Sequence, residues 1–366
     1  MLIGKNIVFR VDASLHIGTG HVMRCLTLAE EMTERGAICY FVTKPHVGNV
    51  INLIENKGYT CLSLPKINNI SVNFKDEYES WLGCSQQEDS VQTLDILSNI
   101  NVHLLIVDHY ALDEVWENNF KKIGIKIAVI DDLANRKHNS DFLLDQNEGR
   151  TSHNYEKLIP RNCVALYGSQ YSLLRKEFHR YRNISLKNTN RGKLKSILIS
   201  IGGIDKDNVT SEVLNILSNC DLPNDCELTI IMGGKSPWLE QVKAISEKIS
   251  WRTNIHVDTN EMALLLSQCD MAIGAAGSSA WERCALGVPT IMIVVADNQN
   301  VIAKNLSINN AAFVIDSVEK VKKDLAEWFN FINAHDGVLD KMSLSCSLIT
   351  DGNGTYKVAR ELESLV

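Results

Sequence analysis

Two hydrophobic periods alternate along the chain, one typical of buried strands and one typical of helices. Residues 6–11 (NIVFRV) form a short apolar run, and over 21–35 an apolar residue recurs at every third or fourth position until Gly36. A further apolar run follows at 38–42. The short runs predict buried strands, and the longer spacing predicts an amphipathic helix that ends at the glycine. A strand, a helix and a strand in this order predict a right-handed crossover within a parallel sheet.

The same alternation continues to residue 145. It predicts helices at 48–56, 90–99 and 112–121, and strands at 59–64, 103–108, 126–130 and 142–145. Residues 66–90 fit no clear element and are interpreted as an insertion. A loop-rich passage at 146–165 then leads to a predicted helix at 170–182, and the polar stretch 183–193 is interpreted as a linker.

The alternation begins again after this linker. It predicts strands at 195–201, 227–232, 254–257, 270–273 and 289–295, and helices at 207–218, 237–249, 260–267 and 279–286. The chain is therefore predicted to contain two Rossmann-like, doubly wound α/β domains with parallel sheets, at 1–180 and 181–366. Its last helix is a candidate to cross back to the first domain. Two such domains are expected to face a cleft at the carboxyl ends of their strands, where α/β proteins usually bind ligands.

Composition narrows the class of protein. The 366 residues, 45% of them hydrophobic, can fill two cores. The net charge of -7 and the lack of a Lys/Arg block with interleaved aromatics argue against nucleic acid or an anionic membrane as partner. Ten cysteines are scattered without a C-x-x-C pair, which favours reduced thiols. Neither a signal segment nor a stretch of transmembrane length is apparent, so a cytoplasmic location is expected.

The turn Gly18-Thr19-Gly20-His21 lies between the first strand and the first helix. Glycines let a ligand approach the backbone closely, and a helix N-terminus favours negative charge. No Gly-Lys-Ser/Thr follows, which excludes a P-loop. Met23 stands where the third glycine of a dinucleotide motif falls, and the next strand ends without an acidic residue. The ordinary nucleotide-binding motifs therefore do not explain this turn.

His21 has two interpretations, a helix-start residue whose ring hydrogen-bonds the loop, or a general base. We favour the base because the glycines clear space around the ring and because it lies at the carboxyl edge of the first strand. Asp12 and Ser14, in the same turn, are candidates to orient the ring. Histidine titrates near neutral pH, as a general base must.

A second glycine turn, GAAGSS at 274–279, joins a predicted strand to a predicted helix. Free amides at a helix start, together with the hydroxyls of Ser278 and Ser279, predict a diphosphate site. Glu282 has two open interpretations. Its carboxylate binds a ribose, or it completes a capping box with Ser279.

A third turn, GGIDKDNVT at 202–210, contains Asp205 and Asp207. Their spacing is similar to the metal-binding D-x-D of some glycosyltransferases. Aspartate immediately before a helix is, however, a usual N-cap. We favour caps, and expect no metal.

The segment VDHYALD at 107–113 places Asp108 and Tyr110 at the end of a strand, on the same sheet edge as His21. A purely structural alternative stays open for this segment. In that interpretation Tyr110 packs in the core and Asp113 caps the next helix.

Six segments of the chain together resemble the pseudaminic acid pathway hydrolases, which act on UDP-2,4-diacetamido-2,4,6-trideoxy-β-L-altropyranose and are related to spore-coat polysaccharide proteins and to MurG-like glycosyltransferases. The segments are RVDASLHIGTGHVMRCLTLA, VDHYALD, YSLLRKEF, GGIDKDN, GAAGSSAWERCALGVP and ADNQN. The resemblance runs from about residue 6 to 305 and does not include 66–90 or the tail after 310. It implies a GT-B fold and hydrolysis of such a UDP-sugar to free sugar and UDP with inversion. No cofactor is expected.

The resemblance also implies roles for individual residues. His21 would activate the attacking water, and the serine pair with Glu282 would hold the diphosphate and ribose, with uracil near 254–257. The candidate sugar-binding residues are Asp12, Ser14, Gly20, Arg24, Asp108, Tyr110, Arg175, Asn298 and Gln299. The candidate UDP-binding residues are Gly202, Gly203, Met262, Gly277, Ser278, Ser279 and Glu282.

Two rival functions stay open, a GT-B glycosyltransferase that uses a UDP-sugar donor and a non-catalytic sugar-nucleotide-binding protein. A membrane-lipid transferase should carry an apolar or basic patch on the N-terminal domain, and none is apparent. The sequence is compatible with a monomer but does not fix the oligomeric state or the sugar stereochemistry. The expected partner is a small-molecule UDP-sugar, with no nucleic acid and no membrane.

Overall fold

Residues 1–65, 77–187 and 194–366 are described by a computed structural model, and they divide into two units. The first unit contains Met1–Leu174 and Gly354–Val366, and the second contains Arg175–Asn353. Each unit is built on one sheet whose paired strands are all parallel. The two doubly wound parallel sheets predicted from the sequence are therefore confirmed.

The first unit alternates strands and helices along the chain. Its elements are β1 (Asn6–Val11), α1 (Gly20–Glu34), β2 (Ile38–Thr43), α2 (Ile51–Asn56), β3 (Thr60–Ser63), α3 (Glu77–Leu82), α4 (Gln86–Ile96), β4 (Val102–Asp108), α5 (Glu114–Lys121), β5 (Lys126–Ile130), β6 (Phe142–Asp145), α6 (Ser152–Tyr155), β7 (Val164–Tyr167) and a 3₁₀ turn, Ser169–Tyr171. The strand order is β3-β2-β1-β4-β5-β6-β7. The order reverses between β1 and β4, and open α/β sheets bind ligands at such a point.

Side chains of β1 alternate between the two faces of this sheet, because a strand repeats every two residues. Ile7 and Phe9 pack in one core with Met32 of α1. Val8 packs in a second core that contains Trp116 of α5. Both faces of the sheet are therefore covered, as a parallel sheet requires.

A buried charge network ties α4 to β1. The fully buried Arg10 guanidinium donates to Asp12 Oδ1 at 2.7 Å and to both carboxylate oxygens of Asp89 at 3.1 and 2.7 Å. Lys44 Nζ lies 2.9 Å from Asp89 Oδ2. Buried charges persist when they are paired in this way, and removing one partner strongly destabilises the fold.

Asp89 belongs to the stretch 66–90 that the sequence analysis interprets as an insertion. The structure corrects that interpretation for its second part, because α3 and the start of α4 lie there and Asp89 is part of the buried network. Residues 66–76 lie outside the described residues.

The second unit repeats the arrangement. Its elements are α7 (Lys176–Leu186), β8 (Ser196–Ser200), α8 (Val209–Leu217), β9 (Glu227–Met232), α9 (Leu239–Ser246), β10 (Arg252–Val257), α10 (Met262–Gln268), β11 (Met271–Ala275), α11 (Ser279–Ala285), β12 (Thr290–Ile293), a 3₁₀ turn at Asp297–Gln299, α12 (Asn300–Ile308), β13 (Phe313–Ile315), a 3₁₀ turn at Val318–Lys320, α13 (Val321–Ala334) and α14 (Val338–Ile349). The strand order is β10-β9-β8-β11-β12-β13, which reverses between β8 and β11.

The last helix, α15 (Gly354–Glu363), belongs to the first unit. Its apolar residues Val358 and Leu362 lie in the core beneath β1. The division of the chain therefore differs from the predicted domains 1–180 and 181–366 in two ways. It falls between Leu174 and Arg175, and the C-terminal residues return to the first unit because their apolar face is buried there.

Elements missed by the sequence analysis are short or lie in the tail. β7 falls in the passage interpreted as loop, and α12, β13, α13 and α14 lie after the last predicted strand. Residues 183–186, interpreted as linker, continue α7, and 188–193 lie outside the described residues. In the described ranges, no helix combines the length and apolar composition needed to cross a membrane.

Candidate active site

The loop between β1 and α1 presents His21 at the carboxyl edge of the first sheet. Gly18 has a φ of +77°, a conformation that glycine adopts without strain, and its N–H donates to Ser14 O at 2.9 Å. Gly20 begins α1, and beyond its chain neighbours and its own helix backbone no atom of the described residues lies within 4 Å of the position that a Cβ would take there. The loop therefore leaves open space beside the start of α1.

His21 is paired with Asp108, which ends β4. The register places Asp108 beside Val11, the last residue of β1. His21 Nδ1 lies 2.6 Å from Asp108 Oδ1, and the Asp108 side chain is fully buried. Burial alone would raise the pKa of Asp108, but the charges of Arg24 and then His21, with their hydrogen bonds, lower it well below its usual range.

This pairing selects one form of the imidazole. Because Asp108 stays ionised, its oxygen can only accept, so Nδ1 carries the proton and donates to it. Nε2 of neutral His21 then carries the lone pair, and it has no hydrogen-bond partner among the described residues. A histidine oriented by a buried carboxylate in this way can accept a proton, and the carboxylate stabilises the imidazolium that forms.

Arg24, one turn further along α1, joins two carboxylates. Its Nε and Nη2 donate to the two oxygens of Asp108 at 2.6 and 2.7 Å, and its Nη1 donates to Asp132 Oδ2 at 2.6 Å. Burial lowers the pKa of Arg24, but Asp108 and Asp132 outweigh it and raise the pKa above its usual value. Arg24 was predicted to bind sugar. The structure assigns its guanidinium to these two carboxylates.

Tyr110 lies between His21 and Asp132. Its ring meets the His21 ring edge-on with 4.6 Å between centroids, and its hydroxyl donates to Asp132 Oδ2 at 2.9 Å. Burial first, and the Asp132 charge next, raise the pKa of Tyr110 well above its usual value, so the hydroxyl stays protonated.

Asp113 caps α5 through its Oδ1, which accepts from the N–H of Val115 at 2.8 Å.

Asp12 and Ser14 are not the residues that orient His21. Asp12 Oδ1 accepts from Arg10 and from the backbone N–H of Lys44, each at 2.7 Å. Ser14 Oγ accepts from the N–H groups of His16 and Ile17, which shapes the loop. The sequence analysis chose them because they are close in sequence, whereas the contact to His21 comes from β4.

Asp132 is the site residue that the sequence analysis missed. It lies two residues after the end of β5, at the same sheet edge as Asp108, and that position after a buried strand was a signal that could have identified it. Both residues lie at the carboxyl ends of neighbouring strands, which explains why Arg24 reaches them together.

In the second unit, the turn after β11 leads directly into α11. Ser278 is the N-cap residue and makes no side-chain capping bond, and Ser279 Oγ accepts from Arg283 Nη1 at 3.1 Å. The interpretation of Ser279 and Glu282 as a capping box is therefore wrong. The helix begins one residue earlier than that motif requires, and the Ser279 hydroxyl faces Arg283 instead. The Glu282 carboxylate is not used as a cap.

Glu282 shares a small cavity with Met262 and Ser279. Burial raises the pKa of Glu282 to about 7, and the charges of Arg175 and Arg283 oppose this shift. Arg175, at the start of α7, also pairs with Glu177 at 2.9 Å. The structure thus brings three of the predicted UDP-binding residues together within the second unit.

The loop after β8 and the turn after β11 lie side by side, because the strand order of the second sheet reverses between these two strands. Gly202 (φ +117°) and Gly203 are exposed, and apart from their chain neighbours no atom in the ranges that the structure describes lies within 4 Å of a Cβ built on either. Asp205 accepts from the N–H groups of Val209 and Thr210 at 2.9 and 2.8 Å. Asp205 therefore pairs two amides at the start of α8, as a cap does, but the N-cap residue itself is Asn208 rather than either predicted aspartate.

Gln299 and Asn298 lie in the 3₁₀ turn after β12. Gln299 Oε1 accepts from Val295 N–H at 3.1 Å, and its Nε2 lies 3.8 Å from the position of a Cβ on Gly277. Asn298 is exposed. Gln299 therefore borders the Gly277 turn of the same unit.

In the part of the chain that the structure describes, no three His, Cys, Asp or Glu side chains are grouped as metal ligands.

Comparison with known proteins supports the fold. Residues 197–345 match the model of the glycosyltransferase family 28 C-terminal domain. The crystal structure of MurG from Acinetobacter baumannii superposes with a TM-score of 0.71 at 14% identity, covering 98% of this chain and 99% of that one.

Two curated relatives match most of the chain. The UDP-2,4-diacetamido-2,4,6-trideoxy-β-L-altropyranose hydrolase of Campylobacter jejuni is 25% identical over 294 residues, which is 80% of this chain and 93% of that protein. An uncharacterized protein of Methanocaldococcus jannaschii is also 25% identical over 294 residues, 78% of this chain, but the match spans only 55% of its own length. The chain thus has the GT-B fold, and its sequence is similar to the pseudaminic acid pathway hydrolases across most of its length.

Proposed function

We propose that this protein hydrolyses a UDP-linked 2,4-diacetamido-2,4,6-trideoxy sugar of the altropyranose type to free sugar and UDP. The observation that carries the proposal is the His21–Asp108 pair at 2.6 Å, which leaves Nε2 of the ring as a proton acceptor. The similarity to the Campylobacter jejuni hydrolase supports the substrate class. In this role the protein acts in pseudaminic acid biosynthesis.

The reaction needs one proton acceptor and stabilisation of the leaving group. His21 Nε2 takes a proton from water while the water oxygen attacks C1 of the sugar. The bond between C1 and the diphosphate oxygen breaks, its electron pair leaves with UDP, and the configuration at C1 inverts. Asp108 stabilises the imidazolium, so the proton can be held during the attack.

UDP binding is assigned to the second unit. Ser278 and Ser279 with the amides of their turn contact the diphosphate, and the Glu282 carboxylate accepts from the ribose hydroxyls. The support is the cavity that Ser279, Glu282 and Met262 share and the absence of a capping bond from the Ser278 side chain. Donors at the diphosphate stabilise the charge that develops there as UDP leaves.

A second candidate function is transfer of the sugar to an acceptor other than water. The match of residues 197–345 to a glycosyltransferase family 28 domain favours it, although that domain would bind the nucleotide in hydrolysis as well. Both reactions use the same donor and differ only in the nucleophile.

Incubation of the protein with the UDP-diacetamido sugar in ¹⁸O-labelled water, without an acceptor, tests the proposal. We expect UDP and free sugar in equal amounts, with the label on C1 of the sugar and none on UDP. Proton NMR at early times should show the anomer opposite to that of the substrate.

His21→Asn is the matched control because it keeps a polar side chain at the same position. It should bind UDP normally and release little sugar. No UDP release from the wild type without an acceptor would contradict hydrolysis, and label on UDP would contradict attack at C1.

A further inference from the structure

Three aromatic side chains of the first unit pack against one another in a series that begins at the ring of His21, the candidate base. Tyr110 packs edge-on against His21, and Trp81 of α3 stacks on Tyr110 with 5.8 Å between ring centroids and an interplanar angle of 27°. Tyr78, also in α3, packs edge-on against both Trp81 (4.9 Å) and Tyr110 (5.2 Å). The indole is therefore separated from the imidazole by a single ring. We call Tyr78, Trp81 and Tyr110 the aromatic cluster.

The indole N–H of Trp81 is shielded from solvent and has no hydrogen-bond partner among the described residues. The buried indole of Trp116 offers a contrast, because its N–H donates to Asp89 Oδ1 at 2.9 Å. Buried donors are nearly always paired, so an unpaired one next to a candidate active site indicates a missing acceptor.

An unpaired acceptor lies against the same tyrosine. Asp132 Oδ2 accepts from both Arg24 and Tyr110, which fixes the carboxylate. Its other oxygen, Oδ1, is shielded from solvent and has no hydrogen-bond partner in the ranges that the structure describes. Tyr110 therefore contacts one residue with a free donor and one residue with a free acceptor.

A secondary amide complements this arrangement. It offers one carbonyl oxygen to accept from an indole and one N–H to donate to a carboxylate, and an acetyl methyl group can pack on aromatic rings. A ring hydroxyl of a sugar offers the polar groups but no apolar group for the aromatic cluster.

We propose that Trp81 and Asp132, with the aromatic cluster, recognise an acetamido group on the sugar of the substrate. The inference rests on the proposed function for the identity of the reaction, and it adds the residues that would select an acylamino sugar over one bearing hydroxyls. Trp81 is in this view a specificity-determining residue, whereas Asp132 also holds Arg24 and Tyr110.

The test compares three UDP-sugars on the wild type and on Trp81→Phe, which keeps an aromatic ring but removes the N–H. The sugars are the 2,4-diacetamido substrate and two analogues in which either the 2- or the 4-acetamido group is replaced by hydroxyl. Trp328→Phe, which removes an indole N–H in the second unit, is the matched control.

We expect Trp81→Phe to lower kcat/KM for the diacetamido sugar by about 10- to 100-fold, the usual effect of losing one buried hydrogen bond to a ligand. For one of the two analogues the same substitution should lower kcat/KM by less than about threefold, because that analogue lacks the recognised acetamido group. The wild type should reject that analogue by a similar factor. Trp328→Phe should behave as wild type, and UDP affinity should be unchanged in all three proteins.

If Trp81→Phe lowers kcat/KM equally for all three sugars, or lowers it for none of them, the proposal is overturned. So would a wild type that does not discriminate between the diacetamido sugar and the analogues, a measurement that needs no variant. Binding of the same sugars by calorimetry separates this proposal from the proposed function. If the wild type binds but does not hydrolyse the diacetamido sugar, hydrolysis fails, and a 10- to 100-fold weaker affinity of Trp81→Phe still supports amide recognition.

Discussion

His21 and Asp108 are 87 residues apart in sequence, and the structure places His21 Nδ1 2.6 Å from Asp108 Oδ1. The contact exists because β1 and β4 are neighbours in the sheet although β2 and β3 come between them in the chain. The helix that follows β1 and the last residue of β4 therefore meet at one edge. This pair fixes the tautomer of the ring, and the predictions for catalysis follow from it.

Replacing His21 by Asn should lower kcat by roughly 10²–10⁴, the usual contribution of one positioned general base. UDP affinity should stay unchanged, because the nucleotide is assigned to the second unit. Turnover near the wild-type value in folded His21→Asn would show that the histidine is only structural.

Asp108→Asn should lower kcat by roughly 10²–10⁴ as well, because an amide N–H facing Nδ1 favours the tautomer that carries its proton on Nε2. Stability should fall too, since Arg24 loses the buried one of its two carboxylate partners. Asp113→Ala is the control. It removes the N-cap of α5, should lower the free energy of unfolding by about 1 kcal/mol, and should leave kcat unchanged. If both variants lose activity only in proportion to stability, Asp108 has no positioning role.

The Glu282 carboxyl, with its pKa raised to about 7 by burial, predicts a pH dependence in the second unit. An ionised carboxylate is the stronger acceptor for ribose hydroxyls, so UDP affinity should increase as pH rises through about 7. Glu282→Gln should weaken UDP binding about fivefold at pH 8.5 and less at pH 6. Calorimetry on both proteins cancels the titration of UDP itself. The same difference at both pH values would contradict the assignment.

The sign of the stability effect is opposite to that of the affinity. A carboxyl with a raised folded pKa keeps its proton longer in the folded state, so the free energy of unfolding falls as pH rises from about 4.3 to about 7. Glu282→Gln should remove this decline, and thermal unfolding across that range measures it.

Activity should not depend on a divalent metal, because both Asp205 oxygens accept from backbone N–H groups at the start of α8. We expect turnover to survive EDTA and to gain nothing from magnesium or manganese. Asp205→Ala should lower the free energy of unfolding by about 1 kcal/mol through the lost cap. Activity abolished by EDTA and restored by either ion would contradict this prediction.

The sequence by itself determined the elements whose signal is local. Two strands were predicted at their observed bounds, Lys126–Ile130 and Glu227–Met232. A strand buried on both faces of a parallel sheet consists of nearly continuous hydrophobic residues, which makes it visible in the sequence. The glycine turns at Gly18–Gly20 and Gly274–Gly277 were located for a similar reason, since a change from strand period to helix period marks the turn between them.

The tertiary structure decided which side chains meet. The partner of His21, the role of Asp132 and the return of α15 to the first unit all depend on strand order and on which apolar face finds a core. Neighbours in sequence, such as Asp12, were the natural candidates for His21, but Arg10 and the Lys44 backbone bind that carboxylate instead. Periodicity reports whether a residue is buried, whereas contacts between residues far apart in sequence depend on the packing of the whole sheet.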